Sequence, residues 1–223
     1  MSVINIKSRI KNMNIVIGCT NHCPYCYARC TVKRYYITDD FSVPQFYVQK
    51  LRLIDNPKPY TYLMTGMSDF ADWTDEWKMK IFERIARNPQ SHFIFLTKSP
   101  ERISFDCDLD NVWIGVTITR KSELNRIELL KKNIRCRHYH VTFEPLFEDL
   151  GEIDFSGIEW TVVGTETGNR KGKISAKPEW VNNIVKQAQR QGLSVFMKEE
   201  LAPIMGAENM IQQFAPNLLH EEQ

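Results

Sequence analysis

Short runs of β-branched and aromatic residues alternate along the chain with longer amphipathic stretches. The runs lie at 14–18, 60–66, 92–97, 111–117, 137–144, 160–166 and 193–198, and each reads as a strand. The stretches between them carry apolar residues at helical spacing. Phe46, Val48, Leu51 and Ile54 suit a helix within 44–54 that Pro57 and Pro59 stop. Trp77, Ile81, Ile85 and Ala86 stripe a helix that begins near Thr74 and ends before Pro89, with Asp75 and Glu76 in the first turn, where acidic groups suit the dipole. Leu124, Ile127 and Leu130 stripe another over 122–133. Trp180, Val181, Ile184, Val185 and Ala188 stripe one that Pro178 opens and Gly192 closes.

Strand and helix alternate six times, a pattern that predicts right-handed βαβ units and a parallel sheet. A full eight-unit barrel usually takes about 250 residues. The chain therefore predicts an α/β fold, a partial (β/α)6 TIM-type barrel with parallel strands over 1–198 and a cysteine loop after its first strand. Residues 199–223, with Ala202-Pro203 and Ala215-Pro216, read as a C-terminal tail or cap. In such folds reactive groups gather at the carboxyl ends of the strands. Polar residues stand at each of those ends here: Cys19 onward, Ser68 and Asp69, Thr97 and Lys98, Thr117, Thr142 and Glu144, Thr165 and Glu166, and Lys198.

Composition narrows the class only a little. The 223 residues suffice for one sizeable core, and a net charge of +2 is too small to argue for nucleic acid by itself. No apolar run approaches the roughly 20 residues of a membrane span, and the start has no signal-peptide core. Clustered free cysteines in such a chain lead us to expect a cytoplasmic protein.

The candidate chemistry is concentrated in Gly18-Cys-Thr-Asn-His-Cys-Pro-Tyr-Cys-Tyr-Ala-Arg-Cys30, which holds four of the six cysteines. Cys19, Cys23 and Cys26 follow C-x3-C-x2-C. Thiolates this close on a loop converge readily on one metal centre. An iron–sulfur cluster, a structural zinc and inert or disulfide-bonded thiols all remain open at this point. Zinc usually takes two C-x2-C knuckles, and only one is present. Cys30 reads as a spare thiol, because Tyr27-Ala28-Arg29 looks like a helix start that carries it one turn away. The competing reading makes it a fourth ligand in a closed four-thiolate zinc or iron–sulfur site, a metal-binding interaction module without catalysis. An electron carrier is a third reading, but a carrier needs no ring of polar strand ends.

The three-cysteine spacing, with an aromatic residue just before the third, resembles the cluster loop of the radical S-adenosylmethionine (SAM) superfamily. Further along, Gly66-Met-Ser-Asp69, Leu96-Thr-Lys-Ser-Pro-Glu-Arg102, Asn111-Val-Trp-Ile-Gly-Val-Thr117, Phe143-Glu-Pro-Leu146 and Gly164-Thr-Glu-Thr-Gly168 are similar, in order, to segments of short radical SAM proteins from phages and mobile elements, distantly like spore photoproduct lyase. Ser99, Thr165 and Thr167 depart from that family's pattern.

The resemblance implies that Cys19, Cys23 and Cys26 hold a 4Fe-4S cluster whose open iron is chelated by SAM. It places Tyr25 beside the adenine. Gly66, Ser68 and Asp69 would meet the SAM amino group, although the same turn reads equally as a helix start. Lys98 would face the carboxylate as a point charge or stand solvated. Thr117 lies at a strand end in the same ring. Glu144 would contact ribose or substrate, and Glu166 the ribose or adenine edge. The resemblance also implies an external one-electron donor of flavodoxin or ferredoxin type. The substrate is expected to be a nucleic acid or a peptide, or a partner protein to close the barrel. His138 and His140, two apart on one strand, read as core histidines rather than a metal pair. His22 reads as a loop hydrogen-bonder, and Cys107 and Cys136 as buried or half-buried thiols. Seven basic residues between Arg120 and Arg137 form either a solvated helix face or a dock for an acidic donor or a nucleic acid.

Overall fold

The computed structural model describes residues 2–219. Seven strands form one parallel sheet: β1 (Ile10–Asn12), β4 (Thr61–Leu63), β5 (His92–Thr97), β7 (Val112–Thr117), β9 (His138–Phe143), β10 (Trp160–Val163) and β11 (Ser194–Met197). Their order in the sheet is their order in the chain. The winding never reverses, so the crossovers stay on one face and the sheet curls into a half-barrel. The remaining elements are β2 (Val16–Ile17), α1 (Tyr27–Tyr35), β3 (Gln45–Phe46), α2 (Asp75–Ala86), β6 (Phe105–Asp106), α3 (Arg126–Asn133), β8 (Ile134–Arg135), α4 (Pro178–Arg190) and α5 (Ala202–Met205).

Two expectations need correction. The first sheet strand is Ile10–Asn12, paired with β4, and not 14–18. Within 14–18, Val16–Ile17 pairs antiparallel with β3 instead, and Gly18 makes a parallel bridge to Ser68 beyond the end of β4. The six strand–helix alternations also thin out. The β5–β7 crossover carries only the 3-10 turn Pro100–Arg102 and β6, and the β9–β10 crossover carries neither helix nor strand. The helix expected within 44–54 is a 3-10 helix, Val48–Leu53, preceded by β3.

α2, α3 and α4 bury Ile81, Ile85, Ile127, Leu130, Val181 and Ile184 against the convex face, with Phe70, Phe93, Phe95 and Ile114 beneath them. On the concave face Ile10, Ile94, Trp113, Trp160, Val162 and Phe196 form a second cluster with Ala215 and Leu218 of the tail. The tail first covers the free edge of β11, where Met197 N donates to Ile211 O (2.7 Å) and Gln213 N to Val195 O (2.8 Å). It then crosses to β4, where Thr61 Oγ1 donates to Leu218 O at 2.8 Å. The tail thus plugs the amino end of the barrel, opposite the cysteine loop. Residues 220–223 of it lie outside the described residues. Across the unclosed side, Gln212 clasps the backbone of Ile4, donating to its carbonyl at 2.8 Å and accepting from its N–H at 2.7 Å. Among the described residues no helix is long and apolar enough to cross a membrane.

Of the two histidines expected in the core, His140 is buried and His138 is half-buried beside surface carboxylates. His138 stacks on Trp113 with centroids 4.4 Å apart and meets Glu159 through Nδ1 at 3.0 Å. His140 is 1% exposed. Its Nε2–H donates to Phe95 O at 3.1 Å, and burial pulls its pKa from 6.5 to about 4. Between those values the unfolded chain binds a proton that the native state refuses, so stability falls with pH. We expect unfolding free energy to drop by about 3 kcal/mol from pH 7 to pH 4 through this residue. Denaturant titrations across that range should show His140→Leu with a flatter acid limb than the wild type.

Candidate functional site

The carboxyl end of the half-barrel opens into a cavity of about 450 Å³. Cys19, Cys23 and Cys26 line it, and so do Tyr25, Gly66, Ser68, Asp69, Lys98, Thr117, Glu144 and Glu166. Every residue assigned to the cluster or to SAM from the sequence therefore borders one cavity. Its lower wall is apolar, with Ile94, Leu96, Trp160 and Val162.

The cysteine loop is fixed at its root by Gly18. Its φ is +119°, in the region that favours glycine, and a Cβ there would lie 2.7 Å from Pro44 Cα. Gly18 N donates to Met67 O at 2.9 Å, tying the loop to the turn after β4. Gly18→Ala should cost about 2–3 kcal/mol in unfolding free energy, since both the left-handed conformation and the backbone overlap resist a side chain. A denaturation midpoint unchanged by this substitution would show the loop root to be adaptable.

Further along, Thr20 N and Oγ1 donate to Asp72 (2.9 and 2.7 Å), and Arg102 pairs with Asp72 at 3.0 Å. Asn21 Nδ2 donates to Asp69 at 2.7 Å. Cys26 caps α1, its Sγ accepting from Arg29 N at 3.4 Å, and Cys19 Sγ accepts from Asn21 N at 3.5 Å. Cys30 is exposed on α1 and does not line the cavity.

No three His, Cys, Asp or Glu side chains among the described residues stand close enough to hold a metal ion as they are placed. The donor set itself suits an iron–sulfur cluster. Three thiols on one loop face one cavity, and two of them already accept backbone N–H groups. Burial pushes the Cys19 thiol up to about 12, with Asp69 and Asp72 adding to it, so a thiolate there calls for a strongly positive partner. Metal sites are commonly completed by the metal itself.

Asp69 is 4% exposed and accepts four hydrogen bonds: Ala71 N (2.9 Å) and Thr97 Oγ1 (2.5 Å) on one oxygen, Lys98 N (2.8 Å) and Asn21 Nδ2 (2.7 Å) on the other. Those fill the acceptor capacity of a carboxylate. The side chain read as a SAM contact therefore also joins the cysteine loop to the ends of β4 and β5. Burial raises its pKa and the hydrogen bonds oppose that.

Lys98 lies half-buried with Nζ 5.7 Å from the Tyr25 ring centroid, and burial lowers its pKa against the pull of Cys23 and Asp69. Tyr25 stands edge-on to Phe147 at 5.2 Å. Ser68 Oγ accepts from Trp73 Nε1 at 3.0 Å, and the Gly66 carbonyl accepts from Tyr27 Oη at 2.6 Å. Thr117 O accepts from Arg126 at 2.7 Å. Glu144 pairs with Lys198, a strand-end lysine that the sequence left without a partner. Glu166, 3% exposed, is held by Arg170 through Nε at 2.5 Å and Nη2 at 2.8 Å, and accepts from Ile174 N at 3.1 Å. It pins the loop 167–174, and Arg170 holds its pKa below the usual carboxylate range.

In the basic segment 120–137 the four arginines are paired, while its lysines meet no carboxylate among the described residues. Arg120, Arg126, Arg135 and Arg137 meet Glu148, Glu123, Asp106 and Asp108 at 3.6, 3.0, 3.8 and 3.0 Å.

The model of the family described as "Protein of unknown function (DUF5131)" matches residues 5–206. No curated protein matches the chain. Two mutant structures of spore photoproduct lyase, one with a dinucleoside spore photoproduct, align with TM-score 0.53 at 11% identity, covering 83% of this chain and 75% of theirs. A third, of the lyase complexed with that dinucleoside, gives 0.52 with the same identity and coverage. At that identity the likeness concerns the fold.

Proposed function

We propose that the chain, which belongs to the family DUF5131, is a radical SAM enzyme. One observation carries the reading: Cys19, Cys23 and Cys26 open onto the same cavity as every polar strand end expected to meet SAM. The half-barrel shared with spore photoproduct lyase supports it. Held by Cys19, Cys23 and Cys26, a 4Fe-4S cluster would supply the one electron needed for reductive cleavage of SAM to methionine and a 5′-deoxyadenosyl radical able to take hydrogen from a substrate.

The three thiolates would hold the cluster, and Cys30 is left out of the set. Lys98 presents the ammonium that an amino-acid carboxylate needs, and Ser68, Thr117 and Glu144 present polar groups around the same space. Tyr25 walls it. The apolar lower wall, with Ile94, Leu96, Trp160 and Val162, would give the reacting groups a low-dielectric seat. Asp69 and Glu166 act one step back, fixing the loops on which these groups stand. An external one-electron donor of flavodoxin or ferredoxin type completes the reaction.

The reading is tested by reconstituting the protein anaerobically, reducing it, and adding SAM while recording the electron paramagnetic resonance spectrum. SAM should change the signal in the wild type and in Cys30→Ala alike. A spectrum indifferent to SAM, with the cluster lost in Cys30→Ala, would favour the four-thiolate module.

A further inference from the structure

The charges are unevenly distributed. The first 38 residues hold six lysines and arginines and no aspartate or glutamate, in a chain whose net charge is only +2. Arg29, on α1, is held by Ser42, the Cys19 carbonyl and His22. Lys33 and Arg34, on the same helix, are exposed and have no ion partner among the described residues.

The exposed large aromatic side chains among the described residues all belong to α1 and its cap: Tyr35 at 66% and Tyr36 at 91% at its far end, and Tyr27 at 57% at its start, where the hydroxyl is held by the Gly66 carbonyl. Tyr36 is the most telling. It closes α1 in the left-handed conformation (φ 51°, ψ 44°), donating its N–H to Val32 O. Glycine or asparagine usually occupies that position, and a bulky residue at positive φ is strained. A ring this exposed gains almost nothing from packing to offset the strain. Neither local conformation nor core burial accounts for a tyrosine there, whereas a ligand that stacks on it does.

We infer that the exposed last turn and cap of α1, residues 33–36, dock single-stranded nucleic acid. Tyr35 and Tyr36 serve as stacking platforms for bases, and Lys33 and Arg34 contact phosphates. The inference extends the radical SAM reading by naming the substrate class. Stacking on exposed aromatics beside a cationic track is how strands are bound without sequence preference, since every base offers a π-face. An acidic protein partner would use the charge but has no need of the rings. The segment 120–137 lacks the rings: its arginines are paired with carboxylates and no aromatic lies within it. The position also suits delivery to the cavity. α1 starts at the third cluster cysteine, Tyr27 and Ala28 line the cavity, and nine residues of helix place Tyr35 about 13 Å away.

The test is fluorescence anisotropy of a labelled oligothymidylate with the full-length chain, titrated at several salt concentrations. Binding should weaken as salt rises. Lys33→Gln/Arg34→Gln should lower the slope of log affinity against log salt by about 1.4, the share of two phosphate contacts. Tyr36→Gly should weaken binding about ten-fold while raising the thermal midpoint, because glycine relieves the backbone and removes the ring. A merely structural tyrosine would not move these two readouts in opposite directions. No binding at low salt, or an affinity untouched by Tyr36→Gly, overturns the inference. So does retention of an acidic flavodoxin-type protein, lost in Lys33→Gln/Arg34→Gln, with no oligonucleotide binding. The assay needs neither cluster nor SAM. Intact oligonucleotide binding without SAM cleavage would therefore sink the enzyme reading alone.

Discussion

Cys23→Ala is expected to empty the protein of its cluster and abolish 5′-deoxyadenosine formation, while the chain still folds. The thiol sits mid-loop at the cavity, between Cys19 and Cys26, whose sulfurs each accept a backbone N–H and so also have structural work. Removing Cys23 takes away one of three thiolates and leaves two, too few to hold three irons of a four-iron cluster. The loss should exceed the roughly 10–100-fold typical of changes outside the ligand shell. Iron and sulfide analysis after anaerobic reconstitution checks it, with circular dichroism to confirm folding. Cys30→Ala, on the exposed side of α1, is the matched control and should retain its iron. A Cys23→Ala protein that kept a full complement of iron would remove this residue from the ligand set.

Asp69→Ala is expected to be the most destabilising single change at the site. The carboxylate is nearly inaccessible, and four donors from three segments converge on it. Alanine leaves the N–H groups of Ala71 and Lys98, the Thr97 hydroxyl and the Asn21 amide without their acceptor. Each unsatisfied buried donor costs about 1–3 kcal/mol, though water entering the small cavity recovers part. A net loss of about 3–5 kcal/mol follows, a large fraction of the stability of an ordinary domain. The cysteine loop loses its anchor through Asn21 in the same step, so cluster incorporation should fall as well. Asp69→Asn keeps the shape but turns an –NH2 toward two donors, and should fall between alanine and the wild type. Urea unfolding of the three proteins measures the series. A shift below 1 kcal/mol for alanine would mean that these donors find other partners.

Sequence periodicity reveals the half-barrel wherever strands are long and apolar. β5, β7 and β9 lie within a residue or two of their expected places, and Thr74 caps α2 where its first turn was expected. β1 escaped because Ile10-Lys11-Asn12 buries one residue of three, which leaves no alternation to read. The missing crossover helices reflect the same limit: a chain that alternates strands at these spacings implies helices that a 3-10 turn or a bare loop replaces. The cavity was legible from two independent signals, the cysteine spacing and the polar strand ends. The partners of those polar groups were not. Nothing in the local sequence near Glu144 announces Lys198, 54 residues on, and Asp69 meets Asn21, 48 residues back, only because β4 and the cysteine loop converge in the fold. Arg170 was within reach of sequence reasoning, four residues after Glu166 in a loop with spare cations. The exposed tyrosines of α1 had no such signal, because hydrophobicity alone would bury them.

The central claim is that this cavity cleaves SAM reductively. Its most direct measurement is chromatography of an anaerobic mixture of reconstituted protein, dithionite and SAM. The account predicts 5′-deoxyadenosine and methionine in equal amounts from the wild type, and neither from Cys23→Ala. An intact cluster that yields no 5′-deoxyadenosine, and whose spectrum does not change when SAM is added, would contradict it.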